Sequence, residues 1–272
     1  MTNLNKNSPK IVYAGNRDIS VWVLEFIIKQ GVKPLALLIP DKEKATHAQE
    51  LVKLCSHLNN SMILRGAQFR EEGGVDLLNK LKPDYIISVH FPYIVPKECL
   101  IIPKLGVLNL HPAYLPYNRG WNTPTWAIWD KTPYGATLHF MDEGIDTGDI
   151  IYQKRMEILP TDTADMLYAR VKKLEFETFK EAWPLIVSKN YIRTQQLKED
   201  GTTHKKKDIE TLQRIDLDAK VNAEKLIRRL RALTTDRIEE AAYFEVNGKK
   251  YRVQIRIVGE EPGKNPKTSE SR

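Results

Sequence analysis

A chain of 272 residues, 42% of them hydrophobic and 28% charged, holds enough apolar material for one sizeable domain plus an appendage, within the ordinary range of globular proteins. No apolar run approaches the ~18 residues of a membrane span, and the polar start "MTNLNKNSPK" lacks the apolar core of a secretory leader, so no membrane partner is expected. The formal net charge of +7 permits an anionic substrate or nucleic acid without requiring either, because much of it falls in "HKKKD" (204–208), "KLIRRLR" (225–231) and "KKYRVQIR" (249–256), which read equally well as solvated surface.

The first half alternates strand and helix. "KIVYAG" (10–15) is a short apolar run closing on glycine, and "ISVWVLEFIIKQG" (19–31) follows with apolar residues at helical spacing. "KPLALLIP" (33–40) is a compact strand, and residues 43–58 predict a helix with Leu51, Leu54 and Leu58 on one face. "SMILRG" is a further strand, "GVDLLNKLKP" a helix stopped before Pro83, and "DYIISVHF" (84–91) and "LGVLNLH" (105–111) are strongly apolar strands. Strands apolar on both faces, separated by helices, predict a Rossmann-like α/β fold, a mostly parallel sheet with helices on both faces. Such sheets bind ligands beyond the carboxyl ends of their strands. His90, Asn109 and His111 all stand at such ends.

Residues 135–158 read as strand, turn-rich loop, strand, with Asp146 in the loop "DEGIDTGDII". A long amphipathic helix over 162–189 follows, with Asp162 or Thr163 as cap and Pro184 as a candidate kink. After "NYIRTQQLKEDGTTHKKKD" the chain changes character, which predicts a main domain over 1–200 and a small C-terminal extension over 201–259. The extension holds a helix (222–233) and a β-hairpin around Asn247-Gly248, a type I′ turn signal, and residues 260–272 have the composition of a disordered tail. Cys55 and Cys99 offer neither a disulfide framework nor zinc spacing, so no metal is expected and a reduced, cytoplasmic setting fits.

Taken singly, an Asn–x–His at a strand end is more often structural than catalytic, and an Asp in "DTGD" is usually turn chemistry. In combination, "VLNLHPAYLPYNRG" and "GATLHFMDEGIDTGDII" resemble the catalytic domain of the N10-formyltetrahydrofolate-dependent formyltransferases over roughly residues 10–190. The family's Asn–x–His–Pro motif falls on Asn109, His111 and Pro112, and its Asp–(Ala/Thr)–Gly motif on Asp146, Thr147 and Gly148.

The resemblance implies an enzyme in which an amine attacks the formyl carbon on N10 of the folate. The chemistry suits the catalytic residues Asn109, His111 and Asp146. Asn109 or protonated His111 can donate to the developing oxyanion, neutral His111 can take the amine's proton, and Asp146 can orient the imidazole or a water. The favoured assignment is His111 for proton transfer and Asn109 as oxyanion donor. The family likeness implies a folate slot lined by Phe91, Tyr93, Ile94 and Val95, bordered by Ala113, Tyr114, Leu115 and Pro116, and closed by the loop carrying Asp142.

The acceptor is a separate question. "YAGNRDISVW" has one glycine where glycinamide ribonucleotide enzymes carry a glycine-rich phosphate loop. The strand "LALLIP" passes quickly into "DKEKATHAQELVKL" without the basic insertion of methionyl-tRNA enzymes, and the tail has too few strands for their barrel. Nucleic acid is therefore disfavoured. "HPAYLPYNRG" followed by tryptophan is most similar to the sugar N-formyltransferases, which implies a nucleotide-linked amino sugar as acceptor. Its binding residues are expected to be Arg17, Asn118, Arg119 and Trp121, whereas Trp126 and Trp129 have the spacing of core residues. The tail departs from the family in "RALTTDRIEE", which replaces a proline-rich turn; its hairpin can serve as a subunit interface, a substrate lid or a plain edge extension, and a homodimer contact is the favoured of the three. Methionyl-tRNA formylation and a non-catalytic folate-binding relative stand as alternatives.

Overall fold

A computed structural model describes residues 8–197 and 201–260. The elements in chain order are β1 (Ile11–Gly15), α1 (Arg17–Lys29), β2 (Ala36–Ile39), α2 (Ala48–Leu54), β3 (Ile63–Arg65), α3 (Glu72–Leu81), β4 (Tyr85–Val89), α4 (Lys97–Leu100), β5 (Gly106–His111), β6 (Arg119–Gly120), α5 (Thr123–Asp130), β7 (Tyr134–Phe140), β8 (Ile150–Met156) and α6 (Ala164–Ser188). The extension adds β9 (Thr203–His204), α7 (Glu210–Gln213), α8 (Ala223–Leu233), β10 (Ala242–Val246) and β11 (Lys249–Val253).

The main sheet has the order β3-β2-β1-β4-β5-β7-β8. Its pairings from β3 through β5 are parallel, and β7 and β8 continue it antiparallel. The alternation along β1 explains why its sequence is apolar throughout. Ile11 and Tyr13 enter the core cluster that includes α1 and α6, while Val12 and Ala14 enter the one on the opposite face with Phe69 and Leu78. Helix α6 clamps α1 through edge-to-face aromatic contacts, with Phe26 about 6.3 Å from both Phe179 and Trp183.

Local chemistry shifts one expected helix start and selects the cap of another helix. Helix α2 starts at Ala48 because the chain before it turns: the Asp41 carbonyl accepts from the Lys44 and Ala45 N–H groups, and Asn16 Oδ1 accepts from the Thr46 N–H. Helix α6 continues through Pro184 to Ser188. Thr163 is its N-cap residue, while Asp162 Oδ2 accepts from the Leu159 N–H instead of capping.

The extension packs directly on the sheet-bearing part. Leu233 and Ala242 share a cluster with Trp126, and β9 pairs in parallel with β6. In the hairpin Val246 pairs with Lys249, and Asn247 and Gly248 both have positive φ (50° and 74°), as a two-residue I′ turn requires. Of the tail expected over 260–272, residues 261–272 lie outside the described residues.

Candidate active site

Strand β5 is where the sheet changes from parallel to antiparallel pairing. Asn109 and His111, two residues apart, project to the same side, and Asn109 is paired directly with His139 of β7. The β7–β8 loop then returns Asp146, held at φ 51°, over this strand end. Asp146 Oδ2 lies 3.6 Å from His111 Nε2 and accepts a 2.9 Å hydrogen bond from the Gly120 N–H; Oδ1 lies 3.6 Å from His139 Nε2 and 3.4 Å from Asn109 Nδ2. The expected trio therefore converges, and it gains His139 as a fourth member.

His139 has no exposed surface, and burial, opposed by Asp146, pushes its imidazole from 6.5 down to about 4. Its Nδ1 lies 2.7 Å from the Phe140 carbonyl, which can only accept, so Nδ1 carries the hydrogen and Nε2 is an acceptor. That fixes which way the Asn109 amide faces: Nδ2 sits 3.2 Å from His139 Nε2. Burial alone would raise the Asp146 carboxyl, but His111, His139, the Gly120 N–H and Arg119 outweigh it and hold the group below the ordinary carboxylate range. Asp146 is thus an anion at neutral pH.

The cluster lies in a cleft of about 740 Å³. Phe91, Tyr93, Ile94, Val95 and Asp142 line it, as do Arg17 and Trp121. Phe91 and Tyr93 are 5.1 Å apart in an aromatic group completed by Phe69. Arg17 is held in place: its Nη1 donates to the Tyr168 hydroxyl at 3.1 Å, that oxygen is 3.1 Å from His90 Nδ1, and His90 Nε2 reaches the fully buried Glu175 at 2.8 Å.

Six expected binding residues do not line the cleft. After β5 the chain turns inward, so Ala113 and Leu115 pack with Ile150, and Tyr114 and Pro116 are carried away with them. Asn118 is fully buried and structural: Nδ2 donates to the Pro133 carbonyl, Oδ1 accepts from Thr132, and its N–H donates to Thr202. Arg119 donates to Gln196 and the Leu197 carbonyl, and its charge helps to lower the Asp146 carboxyl. Conversely, His139, Asn122 and Lys206 were not singled out in the sequence. His139 leaves only a polar residue inside an apolar strand as its signal, and Lys206 is one lysine in a run.

The fold and site define an α/β protein with an amide–imidazole–carboxylate cluster at the carboxyl edge of its sheet. Residues 28–183 match the Formyl transferase family model, and residues 208–259 match the N-formyltransferase dimerization C-terminal domain. The chain belongs to the formyl transferase family. It is 35% identical over 196 residues to the methionyl-tRNA formyltransferase of Clostridioides difficile, covering 70% of this chain and 63% of that protein. It is 32% identical over 179 residues to the dTDP-4-amino-4,6-dideoxyglucose formyltransferase of Mycobacterium tuberculosis, covering 66% of this chain and 75% of that one. A solved sugar N-formyltransferase from Shewanella superposes with a TM-score of 0.78 at 25% identity, over 93% of this chain and 99% of its own. The formyltransferase PseJ from Anoxybacillus kamchatkensis, solved with a UDP-linked formamido sugar and tetrahydrofolate, gives a TM-score of 0.56 at 26% identity, covering 74% of this chain and 88% of that one. The match to the first methionyl-tRNA enzymes spans only 61–63% of their length.

Proposed function

We propose that this chain transfers a formyl group from N10-formyltetrahydrofolate to the free amine of a nucleotide-linked amino-deoxy sugar, making an N-formylated sugar for a surface glycan. The observation that carries it is Asp146, ionised and in reach of His111 and Asn109, at a cleft with an aromatic wall. The wall of Phe91, Tyr93 and Val95 fits a flat pterin, and the bound folate supplies the formyl carbon at the strand ends.

His111 Nε2 lies 3.4 Å from the Asn118 carbonyl, an acceptor, and beside Asp146, so Nε2 keeps the hydrogen. Nδ1 is then the ring nitrogen left to take the proton from the attacking amine and to return it to N10 as the formyl C–N10 bond breaks and tetrahydrofolate leaves. Asp146 holds the ring and compensates the positive charge it gains. Asn109 has both N–H bonds directed at His139 and Asp146, so it serves an incoming carbonyl only by exchanging one of them.

Support for the sugar comes from the full-length likeness to the Shewanella enzyme, extension included, and from the dTDP-amino sugar relative in Mycobacterium. The 35% identity to a methionyl-tRNA enzyme favours tRNA as the second acceptor, but among the described residues the extension carries a hairpin and the two-residue β9 instead of a barrel. The same proposal divides the chain into a catalytic domain (1–200) and a dimer-forming extension (201–259), acting in the cytoplasm.

The test is formyl transfer from N10-formyltetrahydrofolate to a panel of nucleotide-linked amino sugars and to Met-tRNA. Product with a sugar is expected; product only with Met-tRNA overturns the choice of acceptor. His111→Ala is expected to lose about 10²–10⁴-fold in kcat, and unchanged turnover would return the chain to a non-catalytic folate binder.

A further inference from the structure

One wall of the cleft is built from both sides of the boundary near residue 200. Lys206, Arg237 and Glu240 of the extension line it together with Trp121 and Asn122. The pairing of β6 with β9 causes this: the Arg119 N–H donates to the Thr202 carbonyl at 2.9 Å and the Trp121 N–H to the His204 carbonyl at 3.0 Å, which sets Trp121 beside the 205–207 lysines. The Lys206 ammonium stands 5.6 Å from the centre of the Trp121 ring, which is 43% exposed.

The groups in this wall differ in whether they are satisfied. Arg237 is paired with Glu240 at 2.8 Å, whereas Lys206 makes no direct ion pair among the described residues and reaches Glu240 only through its longer-range field. Asn122, held at φ 55°, keeps its Nδ2 buried without a hydrogen-bond partner. A buried donor left unpaired is costly, so this N–H is open to a water or to a ligand in the cleft. The wall also begins one residue from the Gly120 N–H that holds Asp146.

We propose that Trp121, Asn122 and Lys206 form the subsite for the phosphate-bearing, nucleotide part of the acceptor, so that the extension completes the active site. This rests on the acceptor being a nucleotide-linked amino sugar. Lys206 supplies a point charge for a phosphate, the Trp121 indole a stacking face for a ring, and Asn122 an N–H for a hydroxyl or phosphate oxygen.

The experiment uses the full chain, calorimetric titration with dTDP and UDP, and steady-state formylation. Wild type is expected to bind at least one of the two nucleotides. Lys206→Met should weaken that binding, and raise the acceptor KM, by about tenfold or more, with kcat and tetrahydrofolate affinity within about twofold. Asn122→Ala should weaken nucleotide binding likewise. Nucleotide binding equal in wild type and Lys206→Met, or no binding of either nucleotide, overturns the subsite; if wild type still formylates a nucleotide-linked sugar, the proposed function stands. Formylation of Met-tRNA and of no sugar overturns both.

Discussion

At the scale of single residues, His139 ties the site to stability. It is a histidine that the fold keeps neutral because protonating it without solvent is expensive, even beside Asp146. Between about pH 4, its value in the fold, and its ordinary 6.5, the unfolded chain binds more protons than the folded one. Stability from this residue is therefore complete above pH 6.5, falls as the pH drops towards 4, and levels off below; the span is roughly 3 kcal/mol. Urea unfolding midpoints measured from pH 4 to 7.5 should follow this slope in wild type and lose most of it in His139→Gln. Equal slopes in the two proteins would mean that other groups govern acid stability. The Asp146 carboxylate adds a dependence of the same sign at lower pH, since its value in the fold is depressed.

At the scale of elements, the short pairing of β6 with β9 does more than its length suggests. Gly120 sits at φ 89°, and a Cβ there would lie 2.2 Å from the His204 carbonyl oxygen. Both facts require glycine: the conformation disfavours a side chain, and the backbone it would strike cannot rotate away. The same residue donates to Asp146 and precedes Trp121. Gly120→Ala should therefore separate the strands, displace Asp146 and lower kcat/KM on the order of 10²-fold, because small misplacements at a reacting centre are that costly. The check is kcat/KM measured beside the unfolding midpoint; near-normal activity would show that the strand pairing does not position the carboxylate.

At the scale of the whole molecule, the hairpin of the extension leaves one apolar face open. Phe244 and Tyr251 stack across the strands at 5.5 Å, and Val246 and Tyr251 are each about 40% exposed. An exposed apolar sheet face close to a pairing edge suits a second copy of the chain, in keeping with the match of residues 208–259 to a dimerization domain. The double substitution Val246→Glu, Tyr251→Glu should convert a dimer to a monomer in sedimentation velocity, with little change in helix content. A wild-type chain that sediments as a monomer at micromolar concentration would remove the hairpin from this role.

By itself the sequence determined the alternation of buried strands and helices, the polar residues at strand ends, and the I′ turn of the hairpin. Each is written locally, in a period of two, in an interruption of an apolar run, or in Asn247-Gly248. Asn109, His111 and Asp146 were legible because both motifs mark the ends of strands. Ala113 to Pro116, Asn118 and Arg119 fall outside the cleft because closeness to His111 along the chain does not keep a residue at the strand end; after β5 the backbone dives into the core, where Ala113 and Leu115 are buried and Asn118 spends its amide on backbone and side-chain partners. His139 opposite Asn109, Glu175 behind His90, and Lys206 beside Trp121 were decided only by tertiary structure. Strand register, a helix crossing the sheet and a parallel bridge join residues 30, 85 and 85 positions apart, and no local pattern in a single chain records those distances.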